Sequence, residues 1–516
     1  MSKLQQNLQL AVIIAVIIGF LDASYLTYKH LYEPLATCHI GFLGDCGTVL
    51  QSKYSVMFGI PLAIWGMLQY AAVGYFAWLS FASESSFYKR LLFVQTAVGF
   101  IFSLYFVYIQ IGIIGALCQY CLLSALTSTF LYIVVRMRFQ KEYRSFVLAK
   151  IEFLYKLAAK PIFFIFPAEF IHDQAMFWGP MFGNIPTVRA VFAHFFKYQN
   201  PKLQVKIGKI RFNNPIGLAA GYDYNGVFTG ILPAVGYGFQ TVGTISNNPC
   251  EGNETPRLGR LPRSQSLLVN KGFRNPGADH IIDKLEGKKF DFPVGISVGR
   301  TNTEETNTLE KAIEDIIQAF KKFEKSKLKN SYYELNISCP NLKGNLSLYP
   351  PENLKKLLKA VDKLKLKKPL FVKMPIEKTD DEVKDMLKVI ASFKYVTGVI
   401  IGNLQKDRKD RSFHQEEISK AGKGNFSGKP TFRRSNELIK LAYRAYGDRF
   451  VIIGCGGVFT AKDAYRKIRY GATLVQMITG MIFEGPQRIS QINHGLVDML
   501  KDDGFEHISE AVGVDS

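Results

Sequence analysis

Four long apolar runs fill the first quarter of the chain, and they constrain its fold more than any other feature. They cover about residues 8–26, 56–81, 91–117 and 118–135. Each approaches the roughly 20 residues that a helix needs to cross a bilayer. The first run could be mistaken for a signal peptide, but no clean small-residue cleavage site follows it and three more runs come after it. The sequence therefore predicts an all-α transmembrane four-helix bundle over residues 1–137.

Basic residues indicate how this bundle is oriented. Lys89 and Arg90 end the loop between the second and third runs, and four Lys or Arg residues follow the fourth run within residues 136–144. Such residues concentrate on the cytoplasmic side of a membrane. The loop over residues 28–55 and the turn at Cys118 then face the oxidising compartment, which is the periplasm in a bacterium. We expect a multi-pass protein of the inner membrane whose remaining chain is cytoplasmic.

Four of the seven cysteines lie in this quarter, as the pairs Cys38/Cys46 and Cys118/Cys121. Paired thiols suit disulfide exchange, in which a thiolate attacks a disulfide. A C-x-x-C at a helix start gains thiolate stability from the helix dipole. Two pairs allow a relay between an external thiol partner and an electron sink, for which the lipid phase offers quinone. A metal site and inert buried thiols are the rival interpretations; we favour the relay and expect no metal.

The net charge bears on the partners of the chain. It is +21 over 516 residues, a length that predicts two or more domains. A basic surplus suits nucleic acid or an anionic membrane face. The sequence contains no nucleic-acid motif, and the basic residues cluster beside apolar segments. We therefore expect contact with the lipid bilayer and no nucleic-acid partner, with part of the charge on an ordinary solvated surface.

Residues 138–204 form a basic linker that is rich in apolar and aromatic side chains. Seven Lys or Arg residues are interleaved with apolar ones between residues 136 and 160, the pattern of an amphipathic helix on a membrane surface. An aromatic stretch over residues 161–196 follows. It predicts either ordinary helical packing on the next domain or the apolar mouth of a tunnel for a lipid-soluble electron acceptor.

Short apolar strands alternate with helical patterns from about residue 205 to residue 516. Eight strand candidates fit an α/β fold of the (β/α)8 TIM-barrel type, whose active site lies at the C-terminal ends of its strands. The candidates centre on residues 216–218, 239–242, 294–298, 333–337, 370–373, 399–401, 451–453 and 474–476.

The residues that follow these strands indicate a flavin enzyme. The segment 219–221, Ala-Ala-Gly, is small enough for a flat ring to approach the backbone, and Lys373 places a cation at barrel depth. Glycine-rich turns after the last two strands are the usual phosphate cradle of this fold. Asparagine amides pair well with a planar substrate that carries an imide and a carboxylate. Cys339 is the candidate base, if its pKa is depressed; an inert buried thiol is the alternative.

The first quarter resembles the vitamin K epoxide reductase family over about residues 8–137. The resemblance is carried by Cys38, Cys46, Ser52, Phe-Gly-Ile-Pro at 58–61 and Cys-Gln-Tyr-Cys at 118–121. It implies a helix bundle around a quinone, with Ser52 near the quinone pocket and the 118–121 pair beside the quinone. Cys121 would attack the quinone, and Cys38 and Cys46 would be the shuttle pair. In bacterial relatives a thioredoxin-like protein is oxidised, so a periplasmic partner of that kind is implied.

The remainder resembles dihydroorotate dehydrogenase over about residues 145–510, and its extension resembles the membrane-associated, quinone-dependent class. The matching stretches are residues 214–221, 256–258, 272–273, 336–341, 371–373, 427–430 and 471–476.

This second resemblance implies the reaction and its residues. Dihydroorotate is oxidised to orotate in pyrimidine synthesis, with FMN as cofactor and quinone as co-substrate. A base removes a proton from substrate C5 while hydride leaves C6 for flavin N5. Asn270, Asn336, Asn341 and Asn403 would hold the substrate. The predicted flavin-binding residues are Ala219, Ala220, Gly221, Thr244, Lys373, Ser427, Gly428, Gly456, Gly457, Thr479 and Gly480.

Five positions depart from the pattern of the quinone-dependent class. Cys339 stands where that class usually has Ser, and Tyr224 stands where a Lys usually follows the first strand. Ser297 replaces a flavin-contacting Asn, Leu404 replaces a Thr, and Ile478 replaces a Tyr near the phosphate cradle. These departures keep a second hypothesis open, in which the barrel acts on another substrate and the membrane domain is only an anchor.

Overall fold

The computed structural model describes residues 3–32, 46–83, 85–344 and 346–516. Its backbone divides into two compact units, Met1–Ala149 and Lys150–Ser516. We call them the bundle and the barrel unit. The finer division predicted from the sequence, with a separate linker over residues 138–204, stays a prediction.

The bundle contains four helices that are long and apolar enough to cross a membrane, which confirms the predicted all-α class. We call them spans 1 to 4. A short helix, Cys46–Gln51, precedes span 2. The spans are Lys3–Tyr32, Leu62–Ala82, Ser86–Ile109 with a π-helical continuation Gln110–Ile114, and Gln119–Arg138.

Two ends of these spans differ from the sequence prediction. Residues 56–61 form a small antiparallel hairpin rather than the start of span 2. Phe58 and Gly59 have φ of 56° and 76°, which turns the chain, and Pro61 caps the helix that follows. Gly115, with φ of 72°, ends the π-helical turn, so residues 115–117 connect spans 3 and 4 instead of extending span 3.

Small residues let the spans approach one another, as expected where lipid rather than water surrounds the helices. A Cβ added to Gly19 of span 1 would lie 2.2 Å from the Tyr70 ring of span 2, and one added to Gly99 of span 3 would lie 2.6 Å from Gln69. Large apolar side chains point outward. Examples are Leu10, Ile17, Leu21, Ile101 and Leu126, each more than half exposed.

The barrel unit begins with a helical extension and continues into a closed eight-stranded barrel. The helices of this region are Gln140–Leu154, which begins within the bundle, Lys160–Ile165, Ala168–Asn184 and Pro186–Phe196. A hairpin of Val205–Ile207 and Ile210–Phe212 follows. The barrel strands β1 to β8 are Ile216–Leu218, Phe239–Ile245, Val294–Val298, Tyr332–Asn336, Leu370–Met374, Val396–Ile401, Val451–Cys455 and Leu474–Met477.

These strands pair in chain order, all parallel, and β8 closes on β1. The predicted TIM-barrel class is confirmed, and each predicted strand lies on an observed one. A three-stranded antiparallel sheet of Leu258–Leu261, Ser266–Val269 and Asn425–Gly428, which we call the outer sheet, is formed by connections between strands.

Amphipathic helices surround the strands for clear sequence reasons. In the helix Pro351–Asp362, Leu354, Leu357, Leu358 and Val361 recur at helical spacing and are buried. The helix Asp380–Ala391 starts with a capping box between Thr379 and Glu382. The other helices of the barrel are Leu232–Val235, Ala278–Leu285, Leu309–Lys325, Gln415–Ser419, Phe432–Tyr446, Ala461–Arg469, Thr479–Glu484 and Arg488–Asp502.

Candidate active sites

A cavity of about 230 Å³ lies where the barrel strands end. Strand ends or the turns after them supply Gly221, Thr244, Asn336, Lys373 and Asn403 to its wall. The outer sheet, the segment 271–274 that follows its second strand, and the helix Ala168–Asn184 supply much of the rest of the wall. Because parallel barrel strands all point to the same rim, residues far apart in sequence meet here, as the fold predicts.

Most of the residues that the sequence nominated for substrate and cofactor line this cavity. They are Ala220, Gly221, Thr244, Asn336, Cys339, Asn341, Lys373, Asn403, Ser427 and Thr479. Within the described part of the chain, the wall does not include the nominated residues Ala219, Asn270, Gly428, Gly456, Gly457 and Gly480.

Hydrogen bonds hold the asparagine amides in place. Asn336 Nδ2 donates to Thr244 Oγ1 at 2.8 Å, while its Oδ1 accepts from Ser338 Oγ at 3.0 Å. Asn403 Nδ2 donates to the Ser338 carbonyl at 2.8 Å. This ordering fixes the orientation of both amides before a ligand arrives, which is the condition for selective recognition of a polar planar molecule.

Asn270 is connected to the cavity through a neighbouring amide. Asn253 Nδ2 donates to Asn270 Oδ1 at 2.9 Å and to the Asn341 carbonyl at 2.7 Å. Asn341 Nδ2 in turn donates to the Val269 carbonyl at 3.0 Å. Asn270 is therefore tied to the cavity wall. The sequence did not single out Asn253, because no motif includes it.

Lys373 is a buried cation with a buried counter-charge. Its Nζ lies 3.6 Å from Glu334 Oε1, and both side chains are almost fully enclosed. Burial acts to lower the pKa of Lys373, but the attractions of Glu334, Cys455 and Cys339 together outweigh it and raise the pKa. Lys373 is therefore charged, and Glu334 is its counter-charge.

Cys339 lies in the cavity wall at the end of β4. Burial raises the pKa of its thiol to about 11. The backbone N–H of Asn341 and the cations Arg300, Lys373 and Lys406 act in the opposite direction, without cancelling the effect of burial. The role of base needs a lowered pKa, so a thiolate at neutral pH would be a minor species in the free protein.

The structure adds two residues that the sequence did not nominate. His172 comes from the helical extension, and Lys271 directly follows Asn270. Lys271 Nζ lies 3.1 Å from His172 Nδ1 and 4.6 Å from the centre of the Tyr224 ring. The other nitrogen of His172, Nε2, is 2.9 Å from the Tyr222 carbonyl. Direct succession to Asn270 was the one available signal for Lys271, and no motif contains His172.

The protonation states of His172 and Lys271 follow from this geometry. Burial lowers the pKa of His172, so the ring is neutral near pH 7. Nε2–H then donates to the Tyr222 carbonyl, and Nδ1 accepts from the Lys271 ammonium. Burial also lowers the pKa of Lys271 to about 8. Among the described residues Lys271 forms no ion pair with a carboxylate, although it is only 8% exposed. A ligand anion in the cavity would supply the missing counter-charge.

Backbone geometry around the cavity leaves room for a flat ring. Gly221 has φ of 116°, and a Cβ added there would meet its nearest atom, Ile478 Cδ1, only at 3.9 Å. Gly456 and Gly457 also have positive φ, where side chains are strained, and an added Cβ would lie 2.5 Å from an atom of Thr431 or Phe432. These glycines allow the tight turn at the end of β7. A flat ring over Gly221 fits this space.

A second cavity, of about 400 Å³, lies inside the bundle. Its wall is mainly apolar and includes two of the nominated residues, Ser52 and Cys121, together with Tyr70 and Gln69. Cys118 is fully buried and caps span 4, since its Sγ accepts from the backbone N–H of Cys121 at 3.4 Å. An apolar cavity beside a thiol suits a lipid-soluble ring.

The cysteines of the bundle are in two states. Cys118 and Cys121 are free thiols. Cys46 is disulfide-bonded and packs with Cys118 and Leu26 in one apolar cluster. Cys38, the predicted partner of Cys46, lies outside the described residues. Across the described ranges, no group of three His, Cys, Asp or Glu side chains is arranged to hold a metal ion.

Comparison with known proteins matches the two units to two different families. The family model described as "Dihydroorotate dehydrogenase" matches residues 202–500. The model described as "Vitamin K epoxide reductase family" matches residues 10–136. Both matches fall where the sequence motifs predicted them.

Whole relatives resemble the larger part of the chain. A "Dihydroorotate dehydrogenase (quinone)" of Trichodesmium erythraeum is 33% identical over 343 residues, covering 64% of this chain and 88% of the relative. Its counterpart from Gloeobacter violaceus is 33% identical over 362 residues, covering 70% and 98%. The crystal structure of DHODH from Eimeria tenella in complex with ferulenol superposes with a TM-score of 0.60 at 26% identity, covering 68% of this chain and 96% of that one.

Proposed function

Because this chain belongs to the dihydroorotate dehydrogenase family and carries a vitamin K epoxide reductase family domain over residues 10–136, we propose that it joins two quinone-linked oxidoreductases. The barrel oxidises dihydroorotate to orotate and delivers the electrons to membrane quinone. The bundle oxidises protein thiols and delivers their electrons to quinone. The fusion brings both activities to one lipid pool.

The convergence of Cys339, Lys373 and three asparagine amides on one cavity carries the proposal for the barrel. Asn336, Asn341 and Asn403, with Asn270 behind them, offer both donors and acceptors to the imide edge of dihydroorotate. Cys339 removes the proton from substrate C5. Its thiol becomes an effective base only when the neighbouring cations offset burial.

The cavity also suits flavin mononucleotide. The bound flavin supplies the two-electron acceptor for the hydride that leaves substrate C6. Gly221 and Ala220 leave room for its ring, and Lys373 offers a positive charge at barrel depth. Ser427 and Thr479, whose hydroxyls are 2.8 Å apart, would bind the phosphate end, with the glycine turn at 456–457 after β7.

Lys271 holds the carboxylate of the substrate. It lines the cavity next in sequence to Asn270, it is buried, and the described residues give it a neutral imidazole as acceptor rather than a carboxylate. A buried cation without a counter-ion is costly, and the substrate brings that counter-ion. Lys271 thereby offers the positive charge that Tyr224 does not provide at the end of β1.

The helical extension admits the quinone. Ala168, Ile171 and Ala175 of the helix Ala168–Asn184 line the cavity from the side of the extension. Large apolar side chains on these helices are exposed, including Phe163, Ile165, Phe166, Phe170, Phe177 and Trp178. Exposed apolar area of this extent suits insertion among lipid tails.

In the bundle, the Cys118/Cys121 dithiol becomes a disulfide and quinone becomes quinol, with transfer of two electrons and two protons. Cys121 faces the cavity that receives the quinone, and Ser52 lines the same cavity. Cys38 and Cys46 carry oxidising equivalents to a thioredoxin-like partner in the periplasm. The bundle crosses the inner membrane, with the barrel on the cytoplasmic side.

Complementation decides the function of the barrel. A bacterial strain that lacks its own dihydroorotate dehydrogenase should grow without added pyrimidine when it expresses the full chain, and should not grow with the Cys339→Ala variant. Purified full-length protein should be yellow and should release FMN on denaturation. Failure to complement, with flavin bound, would favour the rival hypothesis of another substrate.

Thiol-dependent quinone reduction decides the function of the bundle. The full chain, given dithiothreitol and a short-chain quinone, should reduce the quinone, and Cys121→Ser should abolish this activity while dihydroorotate oxidation continues. Equal activity in both proteins would favour a bundle that serves only as an anchor.

A further inference from the structure

Span 1 contains a buried carboxylate that the rest of the bundle does not satisfy. Asp22 lies about two thirds of the way along this apolar helix and is 7% exposed. Neither of its carboxylate oxygens has a hydrogen-bond partner among the described residues. A carboxylate in such surroundings is expensive, and ionisable side chains inside a membrane generally serve transport or proton transfer. The surroundings of Asp22 indicate which of these roles applies.

The face of span 1 that carries Asp22 points into the bundle. Gly19, Asp22, Ala23 and Leu26 recur at helical spacing and all are buried. Ala23 is the next residue after Asp22, and Leu26 is one helical turn after it. Both line the 400 Å³ cavity. Leu26 also packs in the cluster that contains Cys46 and Cys118. The Asp22 side chain is therefore on the face that adjoins the cavity and the thiols.

Tyr70 of span 2 contacts span 1 one helical turn before Asp22, on the face of span 1 that carries Asp22. Its ring packs against Gly19 so closely that an added Cβ would lie 2.4 Å from the ring carbon that bears the hydroxyl. Side chains on a helix lean toward its N-terminus, so the Asp22 carboxylate leans toward this phenol. Asp22 interacts electrostatically with Tyr70 and with both Cys118 and Cys121. These three are the titratable groups of the neighbouring spans that face it.

Hydroxyl groups continue from Tyr70 along span 4 toward the thiol pair. Tyr70 Oη lies 3.0 Å from Ser124 Oγ and 3.1 Å from Ser128 Oγ. Ser124 is one helical turn from Cys121, and both line the cavity. Hydroxyls both donate and accept, so this row can pass a proton between the side of the thiols and the cavity.

We propose that Asp22 is the proton-accepting residue for oxidation of the Cys118/Cys121 pair. The inference rests on the proposed thiol:quinone activity of the bundle. As the sulfur–sulfur bond forms, two S–H bonds break, two electrons pass to the quinone, and two protons must reach the quinol oxygens. Asp22 takes the two thiol protons one after the other and returns each through the hydroxyls of Tyr70, Ser124 and Ser128 to an oxygen of the reduced quinone.

The test uses the full chain in phosphatidylcholine vesicles, with dithiothreitol as reductant and a short-chain ubiquinone as acceptor. Asp22→Asn keeps the size of the side chain and removes the acceptor. Quinone reduction should fall at least 100-fold, in the range typical of a lost proton-transfer group. The rise of the rate with pH that follows ionisation of the carboxylate should also disappear. Asp22→Glu should restore much of the rate, with a shifted pH profile.

Two controls exclude a merely structural effect. Ser80→Ala alters another buried polar side chain, ten residues beyond Tyr70 in span 2, and should leave the rate and the pH profile unchanged. Dihydroorotate oxidation by the barrel should be the same in all variants. An Asp22→Asn protein that keeps the wild-type rate and pH profile would overturn the proposal.

A second readout separates this proposal from the function on which it rests. Cys121 lines the cavity and is partly exposed, whereas Cys118 is fully buried. The rate of iodoacetamide alkylation at Cys121, resolved by mass spectrometry, measures loss of its thiol proton without any quinone. Asp22→Asn should change the pH dependence of this rate. If wild type reduces no quinone, the proposed activity of the bundle fails. An unchanged alkylation profile would then overturn the role of Asp22 as well.

Discussion

The two units surround their reactive thiols with charge of opposite sign. In the barrel unit Cys339 is near Arg300, Lys373 and Lys406, and all three favour a negative sulfur. In the bundle the Cys118/Cys121 pair is near a carboxylate, Asp22. As the proposed base, Cys339 must be deprotonated when it takes the substrate proton, so cations that favour its thiolate suit it. A dithiol that becomes a disulfide must release its protons, so a neighbouring acceptor suits the pair in the bundle.

The surroundings of buried charge differ in the same way. In the barrel, Lys373 pairs with Glu334, and the buried Asp223 carboxylate accepts from two backbone N–H groups and from Gln240. Such partners compensate for the loss of water. In the bundle, the described residues leave both oxygens of Asp22 without a hydrogen bond. The comparison indicates that buried charges in the barrel are stabilised by polar partners, whereas the buried carboxylate of the bundle lies beside its thiol pair without a hydrogen-bond partner among the described residues.

The largest expected effect comes from removing each reactive sulfur in turn. Cys339→Ala should lower kcat for dihydroorotate oxidation by about 10²–10⁴-fold, because a positioned base contributes that much. Thiol-dependent quinone reduction should not change. Cys121→Ser should produce the reverse pattern. Measuring both activities in both full-length variants shows whether the two thiol sites act independently. If either substitution lowered both activities, the two thiol sites would not be independent.

The pH dependence of the barrel should be steep. As the proposed base, Cys339 must be deprotonated, and its pKa of about 11 lies above the physiological range. The thiolate fraction, and with it kcat/KM, should therefore rise about tenfold per pH unit from pH 7 toward pH 10, and level off above the pKa. Steady-state rates at dihydroorotate concentrations well below KM measure this. The pH–rate profile of the matched variant Cys339→Ser should not show this rise between pH 7 and pH 10. A flat wild-type profile would exclude the thiolate as base.

The sequence predicted the parts of both sites that depend on strand ends and motifs. Lys373 and Asn336 end β5 and β4, and barrel strands converge on one rim, so their meeting could be foreseen. The charge on Lys373 could not be foreseen, because it depends on Glu334, which lies within β4 and belongs to no motif. Hydropathy also could not predict the positive φ of Phe58. At this residue the chain turns into a hairpin, where the sequence predicted the start of span 2.

Other features required the packed structure. Lys271 reaches the cavity beside His172, which lies 99 residues away, so their contact is set by tertiary packing alone. Asp22 leaves the first apolar run hydrophobic enough to predict a span, and the run does not reveal which way the carboxylate faces. The contact of Gly19 with Tyr70 and the burial of Ala23 and Leu26 show which face of that helix points inward.

Removing the charge of Lys271 should have an intermediate effect and sharpen the comparison of the two units. Lys271→Gln should weaken binding of dihydroorotate and of orotate by about 10–100-fold, the range for a hydrogen bond to a charged group. The KM of dihydroorotate and the Kd of orotate measure this loss. The double variant Tyr224→Lys/Lys271→Gln moves the cation to the end of β1 and should recover part of the affinity. The exposed Lys288→Gln is the control; equal affinity in Lys271→Gln would remove Lys271 from the substrate site.

The smallest expected effects compare one deleted hydroxyl in each unit. Tyr332 in β4 is buried, and its hydroxyl lies 2.8 Å from Thr241 Oγ1 and donates to the Gln240 carbonyl. Tyr332→Phe leaves buried groups without a partner and should cost about 1–3 kcal/mol in the free energy of unfolding. Tyr70→Phe removes the bonds to span 4 but should cost only about 0.6 kcal/mol, since a helix separated within the bilayer finds other partners.

Thiol accessibility during unfolding measures the two costs separately. Alkylation of Cys118 reports opening of the bundle, and alkylation of Cys250, which is 6% exposed, reports opening of the barrel unit. Tyr332→Phe should advance the exposure of Cys250 and leave that of Cys118 unchanged, and Tyr70→Phe should do the opposite by a smaller amount. A loss from Tyr70→Phe as large as that from Tyr332→Phe would mean that the bundle depends on its internal hydrogen bonds as strongly as the barrel does. The buried oxygens of Asp22, which have no hydrogen-bond partner among the described residues, would then be harder to reconcile with a stable span, and the carboxylate would need a bound partner rather than a role in proton transfer.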